Sequence, residues 1–356
     1  MIQHEREFPD GLTAVLKAQN LTYVSTVEDQ EIRFASYKYR RNDGKHFLVK
    51  ILRTSERTSR MQLQREGAVM SAIPDRSYFR IPKPLHIDSD FIIREHVDGK
   101  TLPAAADPTH EECEQLAKAL YEFQSVPQES LRKQVTDKDS ITAFYLKRLG
   151  KHIVHLWPQY ISSKDIARAV WRLLSAFPIL LGDSVPCHAD LRFSNILFSE
   201  GKIVFLDLEA FRIKNHPLYD VISVMCEDPR PVDKWTWQPA FFKLYLSQRG
   251  QSPWKSEKQA VRLLKALLTF FMIYRFNECR MSAQGKTYFN GGNKLKFLVS
   301  RIRKRFSSPL DRPDLTDAEA IRIGNMRKVL GNKECTSIVR GLLSVRDTDV
   351  ETSGTP

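Results

Sequence analysis

Cys187-His188-Ala189-Asp190-Leu191-Arg192-Phe193-Ser194-Asn195-Ile196-Leu197-Phe198, continued by Ile203-Val204-Phe205-Leu206-Asp207-Leu208-Glu209, is the most informative stretch of this 356-residue chain. Two short apolar runs flank Ser199-Glu200-Gly201-Lys202, a polar segment with a glycine, and this pattern predicts a β-hairpin. An antiparallel pair brings its open ends together. Asn195, just before the first strand, and Asp207, just after the second, are therefore expected to meet, with Asp190 on the adjoining loop. An amide oxygen and a carboxylate are hard ligands that suit Mg²⁺, which normally completes its shell with water and substrate phosphate oxygens. A third carboxylate beside that point can orient a hydroxyl and accept its proton. Phosphoryl transfer asks for little beyond such positioning and charge neutralisation.

Outward from this unit, residues 21–52 read as strands: Ile32 to Tyr39 alternates roughly, Asn42-Asp43-Gly44 is a turn signal, and Phe47 to Leu52 is a short apolar run. Residues 57–73 read as a helix, Phe91-Ile92-Ile93 as a buried strand, and Gly99 as a break. From about residue 110 the pattern turns helical, with Leu116, Leu120 and Phe123 on one face and Pro127 at the end. Residues 164–177, 257–280, 294–306 and 316–345 also read as mostly helical, and Thr316 and Glu319 have capping-box spacing. A strand-rich first third before a helical remainder is an α+β pattern with two segregated lobes.

His188, Asp190, Asn195, Asp207 and Glu209, with Pro217-Leu218-Tyr219-Asp220 beyond them, form an ordered set that resembles the aminoglycoside phosphotransferase family and its choline-kinase-like relatives. The resemblance implies a protein-kinase-like two-lobed fold: a β-rich N-lobe over residues 1–97 that binds the nucleotide, and a helical C-lobe over 98–356 that carries the catalytic loop and the acceptor site. It also implies ATP and Mg²⁺ as cofactors. By analogy Asp190 is the catalytic base, and Asn195 and Asp207 hold the metal. Lys50, in Phe47-Leu48-Val49-Lys50, matches the strand lysine that holds nucleotide phosphates, and Glu66 its helix partner. Phe91 to Leu102 looks like the interlobe hinge, where backbone groups near Glu95 and Val97 would hold the adenine. His188 and Asp220 are expected to support the loop. Glu209 either binds a second metal ion or holds the loop.

The chain departs from the family in places. Ala189 replaces the usual glycine and Ser194 the glycine before the asparagine. Arg192 stands where many small-molecule kinases have a neutral residue or histidine, and is expected to stabilise transition-state charge. Val24 to Arg33, where a phosphate-covering loop belongs, has no glycine. That gap leaves a catalytically inactive, kinase-shaped binding module as an alternative. A protein kinase is the other, but Leu208-Glu209 follows Asp207 where such an enzyme has Phe-Gly, and only twelve positions separate Asp207 from Tyr219.

Composition bounds the partners. Lys and Arg number 55 against 42 acids, a net charge of +13, which favours anionic or neutral acceptors such as a sugar or glycan over a cationic drug. The five cysteines form no CxxC pair and read as reduced thiols of a cytoplasmic protein. The charged N-terminal stretch lacks a signal-peptide core, and Ala266 to Tyr274, the longest apolar run, is too short to span a bilayer. Lys294 to Phe306 carries six cations and no acid, with Leu295, Leu298, Val299, Ile302 and Phe306 on one helical stripe. It reads either as a core-packed helix with a solvated basic face or as a patch, Lys294 to Arg305, for an anionic membrane's inner face or another polyanion. No nucleic-acid recognition motif is present.

Overall fold

β-branched and aromatic residues in alternation build the first part of the chain, seen here in a computed structural model that describes residues 8–9, 11–28, 33–102, 107–137, 139–157, 159–283 and 315–344. In chain order it runs α1 (Leu12–Ala18), β1 (Leu21–Glu28), β2 (Phe34–Arg41), β3 (His46–Leu52), α2 (Arg57–Ala72), β4 (Phe79–Arg80), β5 (Pro84–Ile87), β6 (Phe91–Glu95) and β7 (Lys100–Thr101). One antiparallel sheet has the order β1-β2-β3-β6-β5. Side chains opposite one another on neighbouring strands share a face. Tyr37, Tyr39, Val49, Ile51, Phe91 and Ile93 thus point one way and pack under Leu12 and Leu16 of α1. The register sends Phe34, Ser36, Lys38, Leu48, Lys50, Ile92 and Arg94 to the other face, over the interlobe cleft.

The rest is mostly helical: α3 (His110–Gln124), α4 (Gln128–Arg132), α5 (Ile141–Leu156), α6 (Ser163–Leu180), β8 (Val185–Cys187), β9 (Ile196–Ser199), β10 (Lys202–Phe205), β11 (Arg212–Asn215), α7 (Leu218–Met225), α8 (Trp237–Arg249), α9 (Glu257–Ala283), α10 (Asp317–Leu330) and α11 (Asn332–Leu343). α9 is the axle. Leu263, Leu264, Leu267, Leu268, Phe270, Phe271 and Ile273 are all buried, so it is enclosed on nearly every side by its neighbours. Phe144, Tyr145, Tyr219, Phe270 and Phe271 interlock edge-on or tilted behind the catalytic loop.

The hairpin forms as expected. β9 and β10 pair antiparallel, Ser199 opposite Lys202 and Ile196 opposite Phe205. Glu200 and Gly201 make the two-residue turn with φ of 51° and 73°, the positive pair that a tight hairpin of this twist needs. β4 and β7 flank the hairpin in a second sheet, and β8 pairs with β11 in a third. Gly99 has a packing reason: a Cβ there would stand 2.8 Å from the Phe198 carbonyl, so no side chain fits where the hinge crosses β9. Val97 of that hinge joins Leu197, Val204 and Leu206 in a small apolar cluster under the cleft.

Three sequence boundaries shift. The stretch expected over 316–345 is two helices, because Gly331 takes an extended conformation (φ −61°, ψ 144°) between α10 and α11. The helix at 164–177 runs on to Leu180, with Pro178 inside its last turn. The strand expected at Ile32 to Tyr39 is β2, Phe34–Arg41, displaced toward the turn. The basic stretch 294–306 lies outside the described residues, as do residues 29–32 of the glycine-free loop. Among the described residues no helix is long and apolar enough to cross a membrane, and the five cysteines form no disulfide.

Candidate active site

Lys50 is the pivot between the lobes. From the cleft face of β3 its Nζ donates to Glu66 Oε2 of α2 and to Asp207 Oδ1 beyond the hairpin, both at 2.8 Å. Its ammonium stands over the Phe34 ring, 4.7 Å from the centroid. Burial alone would lower the Lys50 pKa, but the Asp207 and Glu66 carboxylates outweigh it and hold it above the usual lysine value. Burial pushes the other way on Asp207, where Lys50 prevails and holds the carboxyl below its ordinary range.

The loop between β8 and β9, expected from the resemblance to be catalytic, is held from below. Asp220, at the start of α7, accepts the backbone N–H groups of His188 (2.8 Å) and Ala189 (2.9 Å) through its two oxygens, and burial raises its pKa. His188 accepts from Asp190 N at Nδ1 (3.4 Å), and its Nε2 donates to the Leu206 carbonyl at 2.6 Å, tying the loop to the hairpin. Ala189 takes the left-handed conformation, φ 65°, which glycine adopts freely. Arg148 Nη1 reaches its carbonyl at 2.8 Å.

Asn195 Nδ2 donates to the Asp190 carbonyl at 3.0 Å, which fixes the orientation of the amide and leaves its oxygen for another partner. Glu209 accepts from Arg33 at 3.2 Å through one oxygen, while its Oε2 is buried without a hydrogen bond. Burial and the neighbouring Asp207 carboxylate push the Glu209 pKa up to about 7. An orphaned buried oxygen, two acids in mutual repulsion and an outward amide oxygen are what a hard divalent cation would relieve, so these residues fit Mg²⁺. Among the described residues no three His, Cys, Asp or Glu side chains form a cage of their own, which an ion completed by phosphate and water does not need.

Asp190 is crowded on one side only. Its Oδ1 accepts from Tyr274 Oη of α9 at 2.9 Å and from Arg192 Nε at 3.4 Å. Burial would raise its carboxyl, but Arg192, Arg148 and Arg275 outweigh burial and hold it well below the usual carboxylate range. Arg192 also donates to Glu278 and, at 3.2 Å, to Tyr274 Oη. Arg275 pairs with Glu227 and Glu278 and donates to the Leu191 carbonyl at 3.1 Å. The sequence had marked Arg192 but not Tyr274, Arg275, Glu278 or Arg148, because only packing brings α9 and α5 to the loop.

At the hinge, Val97 N–H has no hydrogen bond among the described residues. Glu95 donates its N–H to the Lys83 carbonyl at 2.9 Å, and its side chain pairs with Arg80 at 2.8 Å. Its carbonyl accepts from Arg94 Nη1 at 3.3 Å, a contact the sequence did not suggest. Strand periodicity held the signal, since Arg94 lies two positions from Ile92, the register partner of Lys50.

Solved structures with this architecture include an ethanolamine kinase from Plasmodium vivax, 16% identical with a TM-score of 0.52, the match covering 80% of this chain and 81% of that one. A macrolide 2′-phosphotransferase from Brachybacterium faecium is 16% identical with a TM-score of 0.56, covering 86% and 100%. An aminoglycoside phosphotransferase with ADP bound is 14% identical with a TM-score of 0.52, covering 84% and 97%. At these identities the likeness establishes the fold, which is protein-kinase-like. A comparison with curated protein sequences gives no match. Lys50, Glu66, the catalytic loop and the hairpin all fall within residues 31–264, the span matched by the model of the phosphotransferase enzyme family, and the chain belongs to that family.

Proposed function

We propose that this protein transfers the terminal phosphoryl group of a nucleoside triphosphate, in the presence of Mg²⁺, to a hydroxyl group of a small molecule or glycan. The observation that carries the reading is the Lys50 bridge, which sets a sheet cation against the helix acid Glu66 and the hairpin acid Asp207 at once. Similar structures were solved with ADP, with GDP and kanamycin, and with ATP and streptomycin, in keeping with a nucleotide in this cleft.

In this reading Lys50, fixed by Glu66, holds the α- and β-phosphates. Asn195 and Asp207 hold Mg²⁺, with Glu209 beside them, and the ion when bound neutralises phosphate charge. Asp190 is the base. Tyr274 and Arg192 share its Oδ1, so Oδ2 is the oxygen left to orient the acceptor hydroxyl and take its proton. Arg192 is anchored by Glu278 and Asp190 rather than extended toward phosphate, so we assign it to shaping the acceptor side of Asp190. The guanidinium groups of Arg148, Arg192 and Arg275 near Asp190 are balanced by Asp190, Glu227 and Glu278, so the preference for a neutral or anionic acceptor over a polycation is supported by the chain's net charge of +13.

The test is transfer of labelled phosphate from ATP and from GTP, with Mg²⁺, to a panel of sugars, amino alcohols, aminoglycosides and macrolides. Asp190→Asn is the control. Transfer that falls at least 100-fold in the variant is expected. Nucleotide binding with no transfer to any acceptor would favour the inactive binding module. Efficient phosphorylation of aminoglycosides alone would overturn the acceptor preference.

A further inference from the structure

Arg94 places a cation in the nucleotide cleft where an apolar roof would suffice. It stands on the cleft face of β6, opposite Leu48 of β3. Leu48 lies two residues from Lys50 along the strand, roughly 7 Å toward the hinge at the usual strand rise. The Arg94 backbone therefore sits at the base end of the cleft and Lys50 at the phosphate end. The side chain is half-buried, and burial pulls its pKa below the ordinary arginine value. Among the described residues its one hydrogen bond goes to the Glu95 carbonyl at 3.3 Å, and no carboxylate forms an ion pair with it. A guanidinium has five N–H donors and no acceptor, so most of this donor set is unspent.

The donor pattern discriminates between purines. Adenine carries an amino group at position 6 and guanine a carbonyl oxygen. The hinge carbonyl that could receive an amino group, that of Glu95, already accepts one of its two possible hydrogen bonds from Arg94. A 6-amino group would also bring N–H donors against the N–H donors of Arg94. A 6-oxo group can accept from the spare guanidinium donors of Arg94 and from the Val97 N–H, which has no hydrogen bond among the described residues. The apolar cluster of Val97, Leu197, Val204 and Leu206 offers a floor for either ring and so does not choose between them.

We infer that the base subsite selects a 6-oxopurine nucleotide, guanine or hypoxanthine, over adenine, with Arg94 as the specificity-determining residue. This rests on the nucleotide-dependent phosphotransfer proposed above and replaces the adenine expected at the hinge. A site whose polar groups match one ligand rejects the analogue that leaves them unpaired.

Dissociation constants of GDP, IDP and ADP, measured by isothermal titration calorimetry on the full chain with MgCl₂ and no acceptor, test the inference. GDP and IDP should bind at least tenfold tighter than ADP. Arg94→Met, which keeps length without donors, should bring the three within threefold of one another. The wild-type series stands even if that variant fails to fold. ADP binding as tightly as GDP, IDP behaving like ADP, or a preference that survives Arg94→Met would overturn the inference while leaving phosphotransfer intact. If none of the three binds, the phosphotransfer reading falls with it.

Discussion

The Tyr274 hydroxyl, delivered by α9, donates to Oδ1 of Asp190 at 2.9 Å and so occupies one of the two oxygens of that carboxylate. The tyrosine is itself braced, with its ring edge-on to His152 at 4.7 Å and under the Arg275 guanidinium at 4.9 Å. A buried helix thus orients a group on a loop some eighty residues earlier in the chain.

Tyr274→Phe keeps the ring and removes the donor. Oδ1 then keeps only the longer 3.4 Å contact with Arg192, so the Asp190 carboxylate is held less firmly. The expected result is a kcat about tenfold lower, about 1.4 kcal/mol of transition-state positioning, with nucleotide affinity within twofold of wild type. Steady-state kinetics beside nucleotide titration separate this from general damage, which would weaken both. An unchanged kcat would remove Tyr274 from the positioning of Asp190.

Ala189 occupies a backbone conformation suited to glycine, φ 65°, because Asp220 below and Arg148 beside it hold the loop in place. A left-handed alanine costs about 1–2 kcal/mol, and glycine returns about 0.5–1 kcal/mol of that through the greater freedom of its unfolded chain. Ala189→Gly should therefore stabilise the protein by about 0.5–1 kcal/mol in urea unfolding. Destabilisation by the same amount would mean that the loop relaxes away from this geometry in solution.

His216 is fully buried, its Nδ1 accepting from Leu218 N–H at 3.2 Å. Burial first, and Arg249 second, push its pKa down to about 3. The unfolded chain, with an ordinary histidine near 6.5, takes up a proton that the folded one refuses. Stability from this residue is therefore complete above about pH 6.5 and falls by about 1.4 kcal/mol per unit as the pH drops toward 3. Urea unfolding at pH 7.5 and 5.5 should show this loss, and in His216→Gln the loss should shrink by about 1.4 kcal/mol. Equal pH slopes in the two proteins would contradict the assignment.

Much of the site could be read from the chain because it is built from local structure. A hairpin whose turn is Glu200-Gly201 must bring Asn195 and Asp207 together, since antiparallel pairing leaves its open ends adjacent whatever surrounds it. Lys50 and Glu66 were legible through the family resemblance, which fixed on an apolar strand and the helix after it, and Thr316 with Glu319 does form the capping box its spacing implied. The split at Gly331 was not legible, because glycine in a helical pattern is tolerated as often as it ends one.

The amino-acid order by itself determined the strands, the hairpin and the meeting of Asn195 with Asp207, because each depends on neighbours within a strand or a turn. Only tertiary structure decided that Lys50 reaches Asp207, that Tyr274, Arg275 and Glu278 reach the loop carrying Asp190, and that Arg94 stands on the cleft face of β6. α9 is apolar on nearly every face, so its periodicity names no side that must meet the loop. The environment of Arg94 depends on which strands pair with β6 and on the lobe beneath, and those contacts exist only once the chain has closed on itself.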